Sequence, residues 1–180
     1  MHVEDEKLLV QPPHPASLDP QDLLAQCTTR TGRVSGPGGT NRNKVDTAIE
    51  LIHDPTGLSV TATERRSQHQ NRSRAIDRLR RRLAIECRTR IDPKRQRPSE
   101  LWAQRRQGDK MPINPRHEDY PTLLAEAMDL VTARRYDLAG AAGMLGITMS
   151  QLCRLIRHEK KAMARINQGR DRIGLHRIKA

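Results

Sequence analysis

The sequence predicts an α+β protein in which a small mixed sheet is packed by a long basic helix and followed by a small all-α unit. The sheet is indicated by residues 58–63, Leu-Ser-Val-Thr-Ala-Thr, which alternate apolar and polar side chains with the period of a half-buried strand. The long helix is indicated by residues 75–83, where Ala, Ile and Leu recur at three- and four-residue steps. Similar helical periods over residues 121–156 predict the all-α unit.

The N-terminal part of the chain predicts an arm, a short helix and a strand. Residues 1–18 contain three prolines among mostly polar residues, which favours an extended, mostly disordered arm. Asp19 is a suitable N-cap and Pro20 a suitable first residue for a short helix. The threonine-rich residues 27–33 then predict a strand.

A β-hairpin and the start of the long helix follow. Residues 47–52 predict a strand, residues 53–57, His-Asp-Pro-Thr-Gly, a turn, and the alternating residues after it the second strand. Ser67 and Gln70 have the spacing of a capping box, so we expect the helix to begin at Ser67 and to cover one face of the sheet.

The long helix carries six arginines with one acidic residue, Asp77, between them. They are Arg72, Arg74, Arg78, Arg80, Arg81 and Arg82. Like charges four residues apart repel each other unless a polyanion compensates them. We interpret this surface as a contact for RNA; the alternative is a solvated helix face.

The C-terminal half is predicted to contain a linker, a helical unit and a tail. Residues 89–118 combine four prolines with many cationic residues and predict a mobile basic linker, with a short helix around Trp102. Within residues 119–166, three helical segments with caps at Asp137 and Thr148 predict a helix-turn-helix-like unit. Residues 167–180 form a basic tail. The strands and the long helix that precede the linker are assigned to one domain, residues 19–88.

Composition excludes several classes of protein. The net charge of +12 favours nucleic acid as the partner, and the near absence of aromatic residues disfavours recognition by base stacking. Three separated cysteines and scattered histidines predict neither a metal site nor a cofactor. No apolar run is long enough for a membrane span, and the N-terminus does not look like a secretory signal, so a cytoplasmic protein is expected.

The most unusual stretch is residues 34–44, Val-Ser-Gly-Pro-Gly-Gly-Thr-Asn-Arg-Asn-Lys. Its glycines allow close backbone approach, and the proline restricts one φ angle, which together predict an extended, exposed loop. The stretch lacks both the dinucleotide-binding and the P-loop glycine pattern. The cations that follow the glycines suit a site made of RNA; the alternative is a plain surface loop.

This stretch resembles the catalytic loop of class I peptide chain release factors, whose loop normally contains Gly-Gly-Gln. Residues 53–57 and 64–71 (Glu-Arg-Arg-Ser-Gln-His-Gln-Asn) resemble the same domain in sequence and spacing, and the resemblance covers about residues 19–88. In this chain Thr40 stands where the family has glutamine.

The resemblance implies that the loop enters the peptidyl-transferase centre of the ribosome and promotes hydrolysis of the peptidyl-tRNA ester. The implied catalytic residues are Gly38, Gly39 and Thr40, with the backbone N–H of Thr40 donating to the developing oxyanion. We expect RNA contacts from Arg42, Asn43, Lys44, Arg65, Gln68, Arg72, Arg78, Arg81 and Arg82. With Thr40 in place of glutamine, weakened hydrolysis is expected.

The implied partners are large-subunit ribosomal RNA and peptidyl-tRNA, bound by a monomer. Because decoding domains do not fit before residue 19, we expect codon-independent termination or ribosome rescue. Two alternatives remain open from the sequence. One is a ribosome-binding factor that has lost hydrolysis, and the other is a DNA-binding helix-turn-helix protein.

Overall fold

The structure is a computed structural model that describes residues 8–32 and 47–179. In chain order its elements are β1 (Leu9–Val10), a 3-10 helix (Pro15–Ser17), α1 (Pro20–Ala25), β2 (Cys27–Gly32), β3 (Ala48–His53), β4 (Leu58–Ala62), α2 (Gln68–Glu86), β5 (Arg88–Thr89), α3 (Glu100–Arg105), α4 (Tyr120–Ala133), α5 (Leu138–Met144), α6 (Met149–Arg157) and α7 (Lys160–Arg172). The predicted α+β class is confirmed.

The strands form two small sheets. Strands β2, β3 and β4 are antiparallel in that order, whereas β1 and β5 form a separate parallel pair. Ile49, Leu51 and Val60 point to the buried face of the three-stranded sheet, as the period of two predicts. His53 closes the β3–β4 turn, with its ring nitrogens 2.8 Å from the Thr56 hydroxyl and 3.2 Å from the Gln26 side-chain carbonyl.

Helix α2 is the central element because it packs on both halves of the chain. The Ser67 hydroxyl accepts a hydrogen bond from the Gln70 N–H at 3.4 Å, so the predicted cap is present. Ala75, Leu79 and Leu83 are fully buried. The helix contacts β3 and β4 on one side and α4 on the other, so its apolar stripe serves two layers at once.

The N-terminal segment differs from the disordered arm expected for residues 1–18. Over residues 8–18 the chain forms β1 and the 3-10 helix, and the latter packs against α2 and α4. Ala16 is fully buried, and its carbonyl accepts hydrogen bonds from the Arg80 Nε at 3.0 Å and the Thr122 hydroxyl at 3.3 Å. The polar composition of this segment predicted disorder. In the structure, the buried Ala16 side chain and the hydrogen bonds to the Ala16 carbonyl hold the segment against α2 and α4.

The segment from 89 to 118 also differs from the mobile linker expected there. Trp102 is fully buried, and its indole N–H donates to the Leu145 carbonyl at 2.9 Å. The Arg105 Nε donates to the Asp119 carboxylate at 2.7 Å, and the Thr148 N–H donates to the Asp109 carbonyl at 3.1 Å. The prolines exclude long regular elements, but the segment is packed onto the C-terminal helices.

Helices α5 and α6 have the predicted helix-turn-helix order. The Asp137 carboxylate caps α5 through the Gly140 N–H at 2.9 Å, and the Thr148 hydroxyl caps α6 through the Gln151 N–H at 3.2 Å. Gly146 has a φ of 68° in the turn between them, a conformation that glycine adopts without strain.

The C-terminal residues differ from the basic tail expected from residue 167. Helix α7 continues to Arg172, and Met163, Ile166 and Gly169 are buried. Their spacing of three residues is an apolar stripe that the many basic residues conceal in the sequence. Beyond the helix, the Asn167 side chain exchanges hydrogen bonds with the Ile178 backbone at 3.0 and 2.8 Å.

The buried residues of both halves form one hydrophobic cluster that runs from Ala16 to Ile166. The sheet and the helical unit are therefore joined through a shared core on α2.

In the part of the chain that the structure describes, no helix has the length and apolar character needed to cross a membrane.

Candidate functional site

The glycine loop starts and ends at neighbouring positions in the sheet. Gly32, the last residue of β2, is the register partner of Ala48, the first residue of β3. The chain therefore leaves the sheet at Gly32 and re-enters it beside the same point. The predicted catalytic residues Gly38, Gly39 and Thr40 lie outside the described residues, as do the predicted RNA contacts Arg42, Asn43 and Lys44.

Asn71 holds the end of the loop against helix α2. Its side chain is fully buried, and its amide nitrogen donates to the Thr47 carbonyl at 2.6 Å and the Arg65 carbonyl at 2.8 Å. Its amide oxygen accepts from the Arg65 N–H at 2.9 Å. One buried amide therefore joins the returning strand, the β4–α2 connection and the first turn of α2.

Asn71 was not predicted as a site residue, although the sequence contains a signal for it. It lies four residues before Ala75 and eight before Leu79, in register with the buried stripe of α2. A polar residue at a core position must have its hydrogen bonds satisfied inside the protein. The partner atoms, however, belong to segments whose positions only the folded structure defines.

Four arginines near the loop base have exposed side chains: Arg65, Arg66, Arg72 and Arg74. Within residues 8–32 and 47–179, no hydrogen bond or ion pair engages their guanidinium groups. Gln68, at the first position of α2, is exposed beside them. The predicted contacts Gln68 and Arg72 therefore lie in the N-terminal half of α2, and Arg65 lies in the connection just before this helix.

Arg78 and Arg82 occupy a different place, along the edge of strand β4. The Arg78 guanidinium contacts the Thr61 carbonyl and the Glu64 carboxylate, and the Arg82 guanidinium contacts the Ser59 carbonyl. The hydrogen bond from Arg78 lowers the pKa of Glu64 to about 2. These two arginines satisfy alternate carbonyl groups on an edge strand, although both side chains stay exposed.

Arg81 differs most from the predicted phosphate contact. Its guanidinium donates to the Glu159 carboxylate at 3.1 Å and to the Pro115 carbonyl at 2.6 Å, and it lies 5.5 Å from the centre of the Tyr120 ring. It also pairs with Asp77 at 3.1 Å, and its side chain is 22% exposed. This cation joins α2 to the C-terminal helices instead of lying with the loop-base arginines.

Arg80 is used in the same way as Arg81. Its guanidinium donates to the carbonyls of Ala16 at 3.0 Å and Glu118 at 2.9 Å, and to the Thr122 hydroxyl at 3.1 Å. With respect to the described residues, the cations of α2 that lack a partner, Arg72 and Arg74, therefore lie in the half of the helix that begins near Thr47.

Comparison with known proteins identifies the domain that contains this site. The RF-1 domain family matches residues 17–117. Peptide chain release factor 2 of Paramagnetospirillum magneticum is 43% identical over 82 residues, which cover 46% of this chain and 22% of that protein. Peptide chain release factor 2 of Phenylobacterium zucineum is 51% identical over 59 residues, 33% of this chain and 16% of that protein.

A release factor of another type is similar over a shorter stretch. Peptide chain release factor 1 of Caldicellulosiruptor bescii is 49% identical over 53 residues, 29% of this chain and 15% of that protein. The matches therefore span less than a quarter of the length of these relatives. The RF-1 domain match covers more than half of the residues of this chain, and the chain therefore belongs to the class I peptide chain release factor family.

Proposed function

We propose that this chain binds the ribosome as a monomer in the cytoplasm and promotes hydrolysis of peptidyl-tRNA without reading a codon, in termination or rescue of stalled ribosomes. The observation that carries the proposal is the loop base, where Asn71 ties Thr47, which follows the Gly-Gly-Thr segment in the sequence, to a helix that carries exposed arginines. Membership of the release factor family supplies the reaction class.

The proposed division of labour follows from the chemistry of ester hydrolysis. The attacking water and the leaving group belong to the ribosome and the tRNA, and the loop contributes a donor for the oxyanion. Gly38 and Gly39 allow the backbone to approach the ester of the peptidyl-tRNA closely, and the N–H of Thr40 donates to the oxyanion that forms there. Arg65, Gln68 and Arg72 would bind RNA phosphates around the loop base, with Arg42, Asn43 and Lys44 on the loop itself.

Thr40 motivates a second candidate function. The side-chain amide of the family's glutamine is absent, and a β-branched side chain is stiffer beside glycine. A protein that keeps the RNA-binding surface but has lost hydrolysis would occupy the ribosome without releasing a peptide. The two candidates differ only in the chemical step, so one assay separates them.

The test is peptide release from ribosomes that hold peptidyl-tRNA with an empty A site, with and without a stop codon. If the backbone N–H is the donor, Thr40→Ala retains release because the N–H remains. Thr40→Pro removes the N–H, and release should fall on the order of a hundredfold or more, with ribosome binding unchanged.

The outcomes separate the candidates. Equal release by native protein on stop and sense codons supports codon-independent hydrolysis. A third variant, Thr40→Gln, restores the family's glutamine, and release by this variant but not by the native protein supports the hydrolysis-deficient factor. Undetectable ribosome binding by the native chain contradicts both candidates.

A further inference from the structure

The surface where α6 meets α7 carries concentrated positive charge far from the loop in sequence. We name it the α6–α7 corner and define it by the exposed cations Arg154, Arg157, Lys160 and Lys161. The opposite face of α6 is buried. Among the described residues, Arg154 on its exposed face makes no hydrogen bond or ion pair, whereas Arg157 donates to the Lys179 carbonyl.

The acidic residue of this stretch does not neutralise the corner. Glu159 is the single carboxylate between residues 149 and 168. Its Oε1 accepts from Arg81 at 3.1 Å on the inward side, and its side chain is 22% exposed. Glu159 is therefore engaged on the inward side, away from the exposed cations of the corner.

A groove beside α7 extends the corner. It is lined in part by Arg157, Lys160, Asn167 and Arg177, and Arg157 donates to the Lys179 carbonyl at 2.6 Å. The carboxylate in the groove, Asp171, is bound by the Arg177 guanidinium at 2.9 and 2.7 Å. The groove thus offers donors to an anion while its carboxylate is already paired.

The distribution of side chains favours phosphate contact over base reading. In a helix-turn-helix protein, residues at the N-terminal end of the second helix reach base edges. Here Thr148 uses its hydroxyl as a cap, Met149 is an exposed apolar residue, and the cations lie at the other end of α6. Lysine and arginine at such a position grip the backbone of a nucleic acid without selecting its sequence.

The corner is attached rigidly to the domain that carries the glycine loop. Arg81 of α2 binds Glu159, and Glu86 of α2 pairs with Arg165 of α7. The Tyr120 hydroxyl donates to the Leu155 carbonyl at 3.1 Å, which ties α4 to α6. A ligand that binds the corner is therefore held at a fixed distance from the loop base.

We propose that the α6–α7 corner is a second RNA-binding surface, which grips ribosomal RNA phosphates while the loop base binds elsewhere on the same particle. This inference rests on the proposed function. It assigns a role to the helical unit that differs from sequence-specific DNA binding, because the exposed cations lie at the C-terminal end of α6 and not at the end that reads base edges.

The experiment removes three charges at the corner and compares a variant with the same net charge. The corner variant is Arg154→Gln, Lys160→Gln and Lys161→Gln in the full chain. The control variant is Lys94→Gln, Arg95→Gln and Arg97→Gln, three exposed cations on the segment before α3. Arg157 is left in place because it holds the C-terminal segment.

Binding to purified ribosomes is measured by sedimentation over a series of salt concentrations. Log affinity falls as log salt concentration rises, and the loss of three phosphate contacts should make this slope shallower by about 2. The control variant should keep the parent slope. Thermal unfolding of all three proteins checks that the variants are folded.

Each outcome decides the inference. A shallower slope for the corner variant, with the parent slope kept by the control variant, supports the inference. Equal slopes for both variants, with normal binding by the parent, overturn the inference and leave the proposed function intact. Failure of the parent to bind overturns both. Displacement of the ribosome by an equimolar DNA duplex of preferred sequence would assign the corner to DNA.

Discussion

At the residue scale, the arginines of α2 show how one residue type serves three purposes in a single helix. Arg72 and Arg74 stay exposed near the loop base, Arg78 satisfies a carbonyl on the edge of β4, and Arg81 forms a half-buried tie to α6 and α7. A buried or half-buried cation that loses its partners costs far more than an exposed one. Substitution of Arg81 therefore tests folding before it tests RNA binding.

Asn71 is the residue on which the geometry of the loop base depends most directly. Replacing its amide would leave the Thr47 carbonyl and the Arg65 backbone groups without their present partners. These hydrogen bonds are half-buried, so each lost partner costs less than the roughly 1 to 3 kcal/mol of a fully buried unpaired group. Asn71 thus connects the returning strand to α2, in addition to the pairing of β3 with β2 and β4.

Two buried ionisable residues shift stability in opposite directions with pH. His14 Nδ1 accepts from the Ala16 N–H at 3.0 Å, so its Nε2, 3.3 Å from the Cys87 carbonyl, carries the proton. Burial lowers the pKa of His14 to about 4. Burial raises the pKa of Asp129 to about 6, although hydrogen bonds from Thr89 oppose the shift.

We predict opposite pH dependences for the variants His14→Gln and Asp129→Asn. The contribution of His14 to the free energy of unfolding falls as pH falls from about 6.5 to about 4, because its imidazole in the unfolded chain binds a proton before the buried one does. The contribution of Asp129 falls as pH rises from about 4 to about 6, because its carboxyl in the unfolded chain loses its proton before the buried one does. Each effect amounts to at most about 3 kcal/mol.

The measurement is the free energy of unfolding in urea between pH 4 and 6.5. The stability of Asp129→Asn relative to the parent should increase as pH rises, and that of His14→Gln should decrease. Parallel curves for the two variants and the parent would contradict the buried environments described for these residues.

At the element scale, the connection between α4 and α5 depends on the shape of α7. Arg135 and Tyr136 adopt φ angles of 52° and 62°, which side-chain-bearing residues rarely adopt. The Tyr136 carbonyl accepts from the Arg170 Nη1 at 2.6 Å. A Cβ atom at Gly169 would overlap the Tyr136 ring, so glycine at this helical position makes room for the connection.

We predict that the effect of Gly169→Ala changes sign with the residue at position 136. In the native background, overlap with Tyr136 should destabilise the protein by about 1 to 3 kcal/mol. In a Tyr136→Ala background the overlap is gone, and alanine should stabilise α7 by roughly 0.5 to 1 kcal/mol through its higher helix propensity.

A double-mutant cycle of urea unfolding provides the measurement. The control is Gly143→Ala in α5, since a Cβ atom there meets no neighbouring atom. Equal effects of Gly169→Ala in both backgrounds would mean that the Tyr136 ring does not constrain the helix.

At the scale of the whole molecule, the release-factor-type domain and the helical unit share α2 as a common wall. The sheet lies on one side of this helix and α4 on the other, and Trp102 joins the intervening segment to the helical unit. Linked domains with separate cores would unfold separately, whereas a shared core predicts one cooperative transition.

We predict that Leu124→Ala in α4 destabilises the entire chain, not only the helical unit. Leu124 is fully buried, and its truncation should cost about 2 to 5 kcal/mol. Circular dichroism reports all helices including α2, and fluorescence of Trp102, the single tryptophan, reports the segment before α4. Both midpoints in urea should coincide in the parent and shift together in the variant. Separate midpoints would indicate two independent domains.

The sequence by itself determined the local elements of this protein. Capping residues such as Asp19, Ser67 and Thr148 and the period of the apolar residues act over a few positions, so strands β2 to β4 and helices α1 to α6 were predicted to within a few residues. Helix α7, strands β1 and β5 and the 3-10 helix were not predicted. The glycine motif and its flanking stretches likewise indicated the family, which the RF-1 domain match shows.

Only the tertiary structure decided how those elements are used. The role of Asn71 depends on its partner Thr47, and the role of Arg81 on its partner Glu159. In the N-terminal arm and in the segment after β5, the buried residues are too few to form a periodic apolar pattern in the sequence. Contacts between residues distant in sequence leave no periodic signal, because each partner is chosen by the path of the folded chain. For this reason an arginine that resembles its neighbours in the sequence can be an exposed cation at one turn of α2 and an internal tie at the next.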